Sequence, residues 1–365
     1  MERLSKYQLF TLTVFFQIGT TVIFGFGASA GKDAWIVSSL SAILGLLMIG
    51  IYLVIYHYNP GLCLVEWFPA QFGKWIGTPI AWLYPLYFLY VVGRILNDLK
   101  FLLTSTILPS TPFWAIFIPI ILLVAYCIFC GIEVLGRVGE LFLPLFLLLF
   151  ILEVFLLFGS NKIQINNLLP VLDKGWTPIF KASWPLGASQ GFAQTLELAM
   201  IWSLVDSAKG ITKLTIISTI LSGIIITVGN ILAVTTLGEV FFQHQIFPLY
   251  VVIQRIHIGE LVKHLDAIGV IYFMISAFFK LSLHMFFAVK GIQKLTNIKN
   301  ERKLILPLMI LSLYLGYSLA SNLSEHVQVA LEVFPYNLWV LLLWVLPIIL
   351  FIVTLIRNVL NKIFA

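Results

Sequence analysis

The stretch that decides the fold is KYQLFTLTVFFQIGTTVIFGFGASAGK, residues 6–32. No charged residue lies between its two terminal lysines, and at about 1.5 Å per residue it is long enough to cross a hydrocarbon core of roughly 30 Å. Gly19 lies at its midpoint and is followed by Thr20 and Thr21. Because glycine and β-branched threonine are poor helix formers, the stretch predicts a membrane span whose helix is broken at these three residues.

A helix break at this depth predicts a binding site. Backbone groups that leave a helix inside the membrane must face protein or a wet cavity, because each unpaired group in lipid costs several kcal/mol. A ligand that pairs with the freed groups of residues 19–21 meets this requirement. The alternative is that the glycines only allow close helix packing, and Gly27 and Gly31 have the small-xxx-small spacing for it.

The composition is that of a polytopic membrane protein. Of the 365 residues, 60% are hydrophobic and 10% are charged, against roughly 25% charged in soluble domains. The first apolar run is too long for a secretory signal and has no evident cleavage site, so we expect it to be retained. Basic residues outnumber acidic ones, but they lie in loops, where they set membrane topology; nucleic acid is not an expected partner.

The sequence does not indicate an enzyme. It contains no P-loop, no HExxH zinc motif and no nucleophile elbow, so we expect neither catalysis nor a cofactor. Cys127 and Cys130 have CxxC spacing but lie inside an apolar run without a nearby histidine. This context disfavours a metal or redox site.

Apolar runs separated by charges, prolines and glycines predict an all-α membrane protein of about ten transmembrane helices. We expect one transmembrane domain, residues 1–365, built as a 5+5 inverted repeat with a first half at 1–160 and a second at 161–365. The sixth span resembles the first in its central glycines, and two broken helices at matching positions are typical of inverted-repeat transporters. The predicted spans lie near residues 7–29, 35–56, 79–100, 113–130, 138–158, 183–205, 214–238, 267–289, 304–321 and 336–357.

Basic residues also predict the orientation. An even number of spans places both termini on one side of the membrane. Thirteen of the 22 Lys and Arg residues lie in loops on that side, seven lie in loops on the other, and Arg94 and Lys280 lie inside spans. Since basic residues concentrate in cytoplasmic loops, both termini are expected in the cytoplasm.

Lys280 is the most informative charge inside a predicted span. It lies 14 residues from Asp266 and 10 from Lys290, too deep to reach either surface comfortably. A charge at this depth indicates function. Two interpretations stay open: Lys280 is a fixed or titrating cation at a position where related transporters hold a sodium ion, or it neutralises a carboxylate such as Glu153 or Glu197.

Two further sets of charged residues inside the predicted spans are candidates for function. Arg94 and Asp98 are one helical turn apart on the third span, which favours a local ion pair over contact with a substrate. Glu197 lies one turn beyond the midpoint of the sixth span, and Glu153 lies in the fifth. Either glutamate is a candidate to hold a proton.

The predicted site suits a small zwitterion, with an amino acid as the leading candidate. A broken helix presents free amides at the start of one half and free carbonyls at the end of the other, with matching dipole signs. We expect a carboxylate on the amides of Gly19–Thr21 and an ammonium on the carbonyls around Gly191–Ala193. Phe24, Phe192 and Tyr87 are candidates to line the side-chain pocket, although core packing also explains the tyrosine.

Four segments together resemble the spore germination permease family, the membrane-embedded B subunits of nutrient germinant receptors, which are related to amino acid, polyamine and organocation transporters. The segments are FQIGTTVIFGFGASAGKDAWI (16–36), VEWFPAQFGKWIG (65–77), NLLPVLDKGWTPI (167–179) and DAIGVIYFMISAFFKLSLHMFFAVKGI (266–292). The resemblance implies a ten-helix inverted-repeat fold in the spore inner membrane. It implies an A subunit with a soluble domain and a lipoprotein C subunit as partners.

Carried onto this chain, the resemblance places the unwound first helix on Gly19–Thr21 and the eighth-helix lysine on Lys280. Two departures concern the predicted pocket. Where family members commonly have Pro-Phe-Gly-Glu, this chain has Gly191-Phe192-Ala193-Gln194, with a glutamate at 197 instead. The usual Leu-Pro near residues 24–27 is also missing, so we expect the recognised nutrient to differ from that of better-known relatives.

These features are consistent with three functions. The first is a sensor, in which a bound amino acid or similar nutrient shifts a conformational equilibrium that partner subunits detect. The second is a proton-coupled amino acid transporter, with Lys280, Glu153 or Glu197 holding the proton. The third, which is less favoured, is a channel-like subunit that passes ions or water once triggered.

Overall fold

The computed structural model of the chain describes residues 3–21, 24–205, 208–256 and 266–364. Apart from one bridge between Leu4 and Val205, the regular structure in these residues is helical. The α-helices are α1 Lys6–Ile18, α2 Ala34–Tyr58, α3 Leu64–Phe72, α4 Lys74–Thr106, α5 Phe113–Cys130, α6 Ile132–Gly159, α7 Trp176–Ala182, α8 Ala188–Gly191, α9 Ala199–Trp202, α10 Ala208–Leu237, α11 Glu239–His244, α12 Pro248–Gln254, α13 Asp266–Thr296, α14 Arg302–Ser318, α15 Leu323–Gln328 and α16 Leu346–Phe364. Three 3₁₀ segments (Ala28–Asp33, Ile165–Leu168, Ala193–Leu198) and three π segments (Ser183–Gly187, Val329–Val333, Pro335–Val345) complete the set.

The chain is an integral membrane protein. In the described residues seven helices are long and apolar enough to cross a membrane, and an eighth candidate is the pair Arg302–Ser318 and Leu323–Val333, bent by 109°. These elements correspond to eight of the ten predicted spans, so the all-α membrane class is confirmed. The first and sixth predicted spans consist of shorter pieces, and the ten-helix inverted repeat stays a prediction.

The first helix begins and ends at identifiable signals. Ser5 caps α1, because its side chain accepts from the amide of Gln8 while the Gln8 side chain accepts from the amide of Ser5. The helix ends at Ile18, directly before the predicted break. Gly19 has φ +32° and ψ −122°, a conformation that strongly favours glycine. In the described residues the next regular segment begins at Ala28.

The predicted sixth span is a series of short pieces. It contains a π segment, α8, a 3₁₀ segment and α9, with Phe192 between the second and third. The two irregular regions are joined directly by Gln17, whose side-chain amide donates to the hydroxyls of Thr195 at 2.7 Å and Thr219 at 2.8 Å. Phe192 packs against α2 at Gly45, where any added Cβ would overlap its side chain.

Two ion pairs connect the loop before α7 to the 3₁₀ segment Ala28–Asp33 and to α11. Lys32 pairs with Asp173 at 2.9 Å, and Lys174 pairs with Glu239 of α11 at 2.6 Å. The hydrogen bond and charge of Lys32 lower the pKa of Asp173, and those of Glu239 raise the pKa of Lys174. Each pair has one solvent-exposed partner, and such pairs stabilise by little, so their effect is to position α11 over the region that follows α1.

Asn230 of α10 anchors the chain that follows the first break. Its Nδ2 donates to the carbonyl of Phe26 at 3.0 Å, and it also lies 3.3 Å from the carbonyl of Ala34 and 3.2 Å from the Ser38 hydroxyl. Asn230→Leu keeps the volume but removes the donor. We expect a lower melting temperature in detergent and a loss of about 1–3 kcal/mol, because buried acceptors lose their partner.

The matched control is Asn337→Leu. Asn337 is exposed, and its Nδ2 donates to the carbonyl of Val333 within the same helical run. We expect the melting temperature to stay close to that of the wild type. Equal losses in the two variants would contradict the anchoring role of Asn230.

Candidate functional site

A cavity of about 190 Å³ lies beside the first break. Its walls come from Thr20, Phe24, Gly25 and Ala28, from α4, α8 and α13, from the 3₁₀ segment after α8, from the end of α11 and from the π segments before α16. His244 is exposed at one end and Gln243 is half-buried, whereas Gln194 and Lys280 are buried at the other. The cavity therefore opens toward α11 and has its floor at mid-helix depth.

The structure brings part of the predicted site together at this cavity. Of the predicted ligand-binding residues, Thr20, Phe24 and Gln194 line it, as do three of the predicted intramembrane charges, Arg94, Asp98 and Lys280. The other predicted residues lie behind the wall. Gly19, Thr21, Gly191, Phe192 and Ala193 are packed between helices, and Tyr87 and Glu197 lie below the floor.

Glu153 lies apart from the cavity. It lines a separate apolar crevice of about 60 Å³ between α6 and α13, with Leu152 and Tyr272 among its neighbours. Its Oε1 is buried and has no partner among the described residues. The structure therefore separates Glu153 from the other predicted coupling residues.

Lys280 fills the first break. Its aliphatic stem packs on Gly19, where an added Cβ would overlap it. Its Nζ donates to the carbonyl of Gln190 at 3.2 Å and lies 5.6 Å from the ring centroid of Phe16. Among the described residues no carboxylate lies within salt-bridge distance of Lys280, although the charge of Glu197 acts on it through space. That Lys280 neutralises Glu153 or Glu197 stays a prediction. Lys280 is a cation held between the two irregular regions.

The backbone groups predicted to hold the ligand are largely occupied. The amides of Gly19 and Thr21 donate to the carbonyls of Phe15 and Ile18, each at 2.8 Å. The Gly19 carbonyl accepts from Ser276 at 2.9 Å. In this conformation these two amides are not free for a carboxylate, because they already donate hydrogen bonds within the turn. The polar groups that line the cavity are mainly side chains.

Arg94 and Asp98 do not form the predicted local ion pair. Nε2 of His326 lies 2.6 Å from Oδ1 of Asp98, and Arg94 donates to the backbone carbonyl of His326 at 2.9 Å. The guanidinium carbon of Arg94 also lies 5.7 Å from the ring centroid of Phe334. His326 comes between them because α15 bends back toward α4, and the sequence reasoning placed it in a loop between the last two spans.

A buried hydrogen-bond network continues from the cavity floor. Trp339 Nε1 and Gln194 Nε2 lie 3.1 and 2.8 Å from the Tyr87 hydroxyl, which lies 3.1 Å from Oε1 of Glu197. Oε2 of Glu197 lies 3.0 Å from Nε2 of His284. Sequence reasoning missed His284. Its spacing of four residues from Lys280 was the available signal, since that spacing places both on one face of α13.

The last helical run is π-helical where it lines the cavity. π-helical turns are rare and often occur at functional sites. Tyr84 donates to the carbonyl of Leu342 at 2.9 Å, and Tyr52 donates to the carbonyl of Leu343. These bonds from α4 and α2 satisfy carbonyls of the wide turn that also carries Trp339.

The fold and site define an integral membrane protein with a mostly apolar cavity between interrupted helices, into which a few charged and polar side chains project. The chain matches the family model described as "Spore germination protein" over residues 3–324, and it belongs to that family, which is not an enzyme family. It is 29% identical to Spore germination protein KB of Bacillus subtilis (strain 168) over 351 residues, which is 96% of this chain and 94% of the relative. It is 25% identical to Spore germination protein A2 of the same strain over 338 residues, which is 90% of this chain and 88% of the relative. Spore germination protein XB of Bacillus anthracis is 23% identical over 283 residues, 77% of each chain.

The contact between Gly19 and Lys280 generates a stability prediction. Gly19→Ala should lower the melting temperature, because the new Cβ overlaps the lysine stem and because φ is +32° there. Combining it with Lys280→Ala should recover part of the loss. We expect a coupling free energy of about 0.5–3 kcal/mol in the double-mutant cycle measured by unfolding.

Gly50→Ala is the control for this cycle. A Cβ at Gly50 of α2 meets nothing within 4 Å, and alanine is the better helix former. Its melting temperature should not fall. Strictly additive losses for the Gly19 and Lys280 substitutions would contradict the contact.

Proposed function

We propose that the protein is the membrane-embedded B subunit of a nutrient germinant receptor and that it binds an amino acid or a similar small nutrient in this cavity. The observation that carries the proposal is the presence of both charge signs on the walls of one cavity. Lys280 and Arg94 supply positive charge and Asp98 supplies negative charge. A zwitterion matches this lining in both signs.

The size of the cavity supports a small ligand. Its volume of about 190 Å³ is below the roughly 300–1,000 Å³ of pockets that hold drug-sized ligands. The ligand carboxylate would lie toward Lys280 and the ammonium toward Asp98. The hydroxyl of Thr20, the side-chain amide of Gln190 and Oε1 of Gln194 are available for further hydrogen bonds.

Binding would signal by shifting a conformational equilibrium. The cavity walls come from the chain after the first break, from the sixth-span region and from the end of α11. A ligand that contacts all three stabilises the conformation in which they lie together, and it can shift the equilibrium only by its differential affinity for that conformation. Partner subunits would detect the shift.

The partners and the location rest on the family. We propose that A and lipoprotein C subunits assemble with this chain in the spore inner membrane, with both of its termini in the cytoplasm. We also propose the 5+5 inverted repeat, which the irregular first and sixth regions and their contact through Gln17 and Thr195 support. Co-purification of the three subunits from spores tests the assembly.

A proton-coupled amino acid transporter is the second candidate. The observation that favours it is the pair of buried ionisable groups Glu197 and His284 directly below the cavity. The two functions predict different results in sealed vesicles.

The first test is binding. Purified protein in nanodiscs is screened by thermal unfolding against amino acids and sugars, and a true ligand at 100 times its Kd should stabilise it by about 2.7 kcal/mol. Asp98→Asn and Lys280→Met should each weaken binding about tenfold or more, because each removes one charge from the cavity. Glu153→Gln, a change of a buried carboxyl outside the cavity, should leave affinity unchanged. Stabilisation by none of the compounds would contradict the proposed site.

The second test separates sensor from transporter. Protein in liposomes is given a labelled form of the amino acid that binds, with and without a pH gradient. A sensor should bind the label without accumulating it inside. Accumulation that a protonophore abolishes would reject the pure sensor and support the transporter.

A further inference from the structure

In the hydrogen bonds below the cavity, the chemistry of each group decides which atom donates and which accepts. The oxygen of an ionised carboxyl group can only accept, so the Tyr87 proton points to Oε1 of Glu197, 3.1 Å away. The tyrosine oxygen then accepts from Trp339 Nε1 and Gln194 Nε2, which can only donate. Tyr87 therefore connects two residues that line the cavity to a carboxyl group that does not.

The same reasoning places a proton between Glu197 and His284. Nδ1 of His284 lies 2.7 Å from the carbonyl oxygen of Lys280, which can only accept, so Nδ1 carries a hydrogen. Nε2 of His284 lies 3.0 Å from Oε2 of Glu197, and neither atom has a hydrogen-bond partner in the described part of the chain, the other atom included. If His284 were neutral and Glu197 ionised, a lone pair on Nε2 would lie close to a lone pair on Oε2, and the two would repel each other. One shared proton, on either atom, removes this repulsion.

The surroundings allow that proton to be exchanged. Both side chains are fully buried. The titratable groups that act on Glu197 from the packed elements are Lys280 of α13, Tyr52 of α2, and Tyr84 and Tyr87 of α4. From α1 the ring of Phe16 stacks on His284 at 5.0 Å. The protonated pair is neutral overall, and after proton loss the charge of Lys280 partly balances the carboxylate.

We infer that Glu197 and His284 form a proton-binding site beneath the cavity that holds one exchangeable proton. When the proton leaves, the two facing lone pairs repel and one side chain must move. Tyr87 is bonded to Glu197, so its contacts with Gln194 and Trp339 change as well. Proton binding is thereby linked to the shape of the cavity floor, and by reciprocity a ligand in the cavity changes the affinity for the proton.

The proton site itself does not depend on the proposed function, whereas its link to a ligand rests on it. Glu197→Gln is the decisive variant because the neutral glutamine amide can make the hydrogen bonds that the pair makes when it holds its proton. Its oxygen accepts from Tyr87, and its NH₂ group donates to Nε2 of His284. The variant should fold, and it should hold the cavity floor in one state at every pH.

Glu153→Gln is the matched control. It is the same substitution at another buried membrane carboxyl, in the crevice between α6 and α13. No bond in the described residues joins Glu153 to the Tyr87 network. A general effect of removing a buried acid would appear in both variants, and loss of the proposed proton would appear in Glu197→Gln alone.

The first measurement follows the proton without any ligand. The full chain is labelled with ¹⁵N-histidine and placed in nanodiscs, and the imidazole nitrogen resonances and the carboxyl infrared band are followed against pH. The chain has six histidines, and His284→Asn assigns the signal. We expect the pair to release one proton as pH rises in the wild type and in Glu153→Gln, and no such release in Glu197→Gln. Neutral His284 together with ionised Glu197 at every pH would overturn the inference.

The second measurement tests the link to the cavity. Affinity for the amino acid that binds is measured against pH, and we expect a change of about tenfold or more in the wild type and a flat profile in Glu197→Gln. Tyr87→Phe should keep proton release but flatten the affinity profile, because it breaks the connection. A wild-type profile in Glu197→Gln would overturn the link. Absence of any amino acid binding alongside intact proton release would contradict the proposed function alone.

Discussion

The constraint on which this structure depends is that backbone leaving a helix inside a membrane must find protein partners. The first helix stops at Gly19, and one side chain from a distant helix supplies much of what is needed. The stem of Lys280 packs on Gly19, and its ammonium group donates to the carbonyl of Gln190. Ser276 from the same helix donates to the carbonyl of Gly19. Gly19 and Lys280 therefore require each other: a side chain at 19 has no room, and a shorter residue at 280 would leave a gap.

This solution determines the chemistry of the cavity. Because the turn after α1 and the lysine already satisfy most of the freed backbone, the polar groups that face the cavity are mainly side chains. Each charged side chain at the cavity has a protein contact of its own, since Asp98 contacts His326 and Arg94 contacts the carbonyl of His326. Buried charges with partners cost far less than isolated ones. These contacts within the protein explain how both signs are tolerated at this depth.

Sequence reasoning succeeded where the cause is local. The break at Gly19 follows from weak helix formers at the midpoint of an apolar run, and Lys280 is conspicuous because no other charge lies near it in sequence. It failed where partners come from elsewhere. Arg94 and Asp98 are one turn apart and were expected to pair, yet His326 from a bent helix is the residue that both contact. His284 in an apolar run resembles an ordinary core residue until Glu197 is placed opposite it.

The sequence by itself determined that this is an all-α membrane protein of the spore germination family. It also determined the positions at which most spans begin and end and the position at which the first span is interrupted. Apolar run length, charge spacing and glycine position carry that information directly along the chain. Only the tertiary structure decided which polar groups meet. Tyr87 and Glu197 are 110 residues apart, and His326 and Asp98 are 228 apart. Such contacts depend on how whole helices pack and bend, and the spacing of residues within one helix does not encode them.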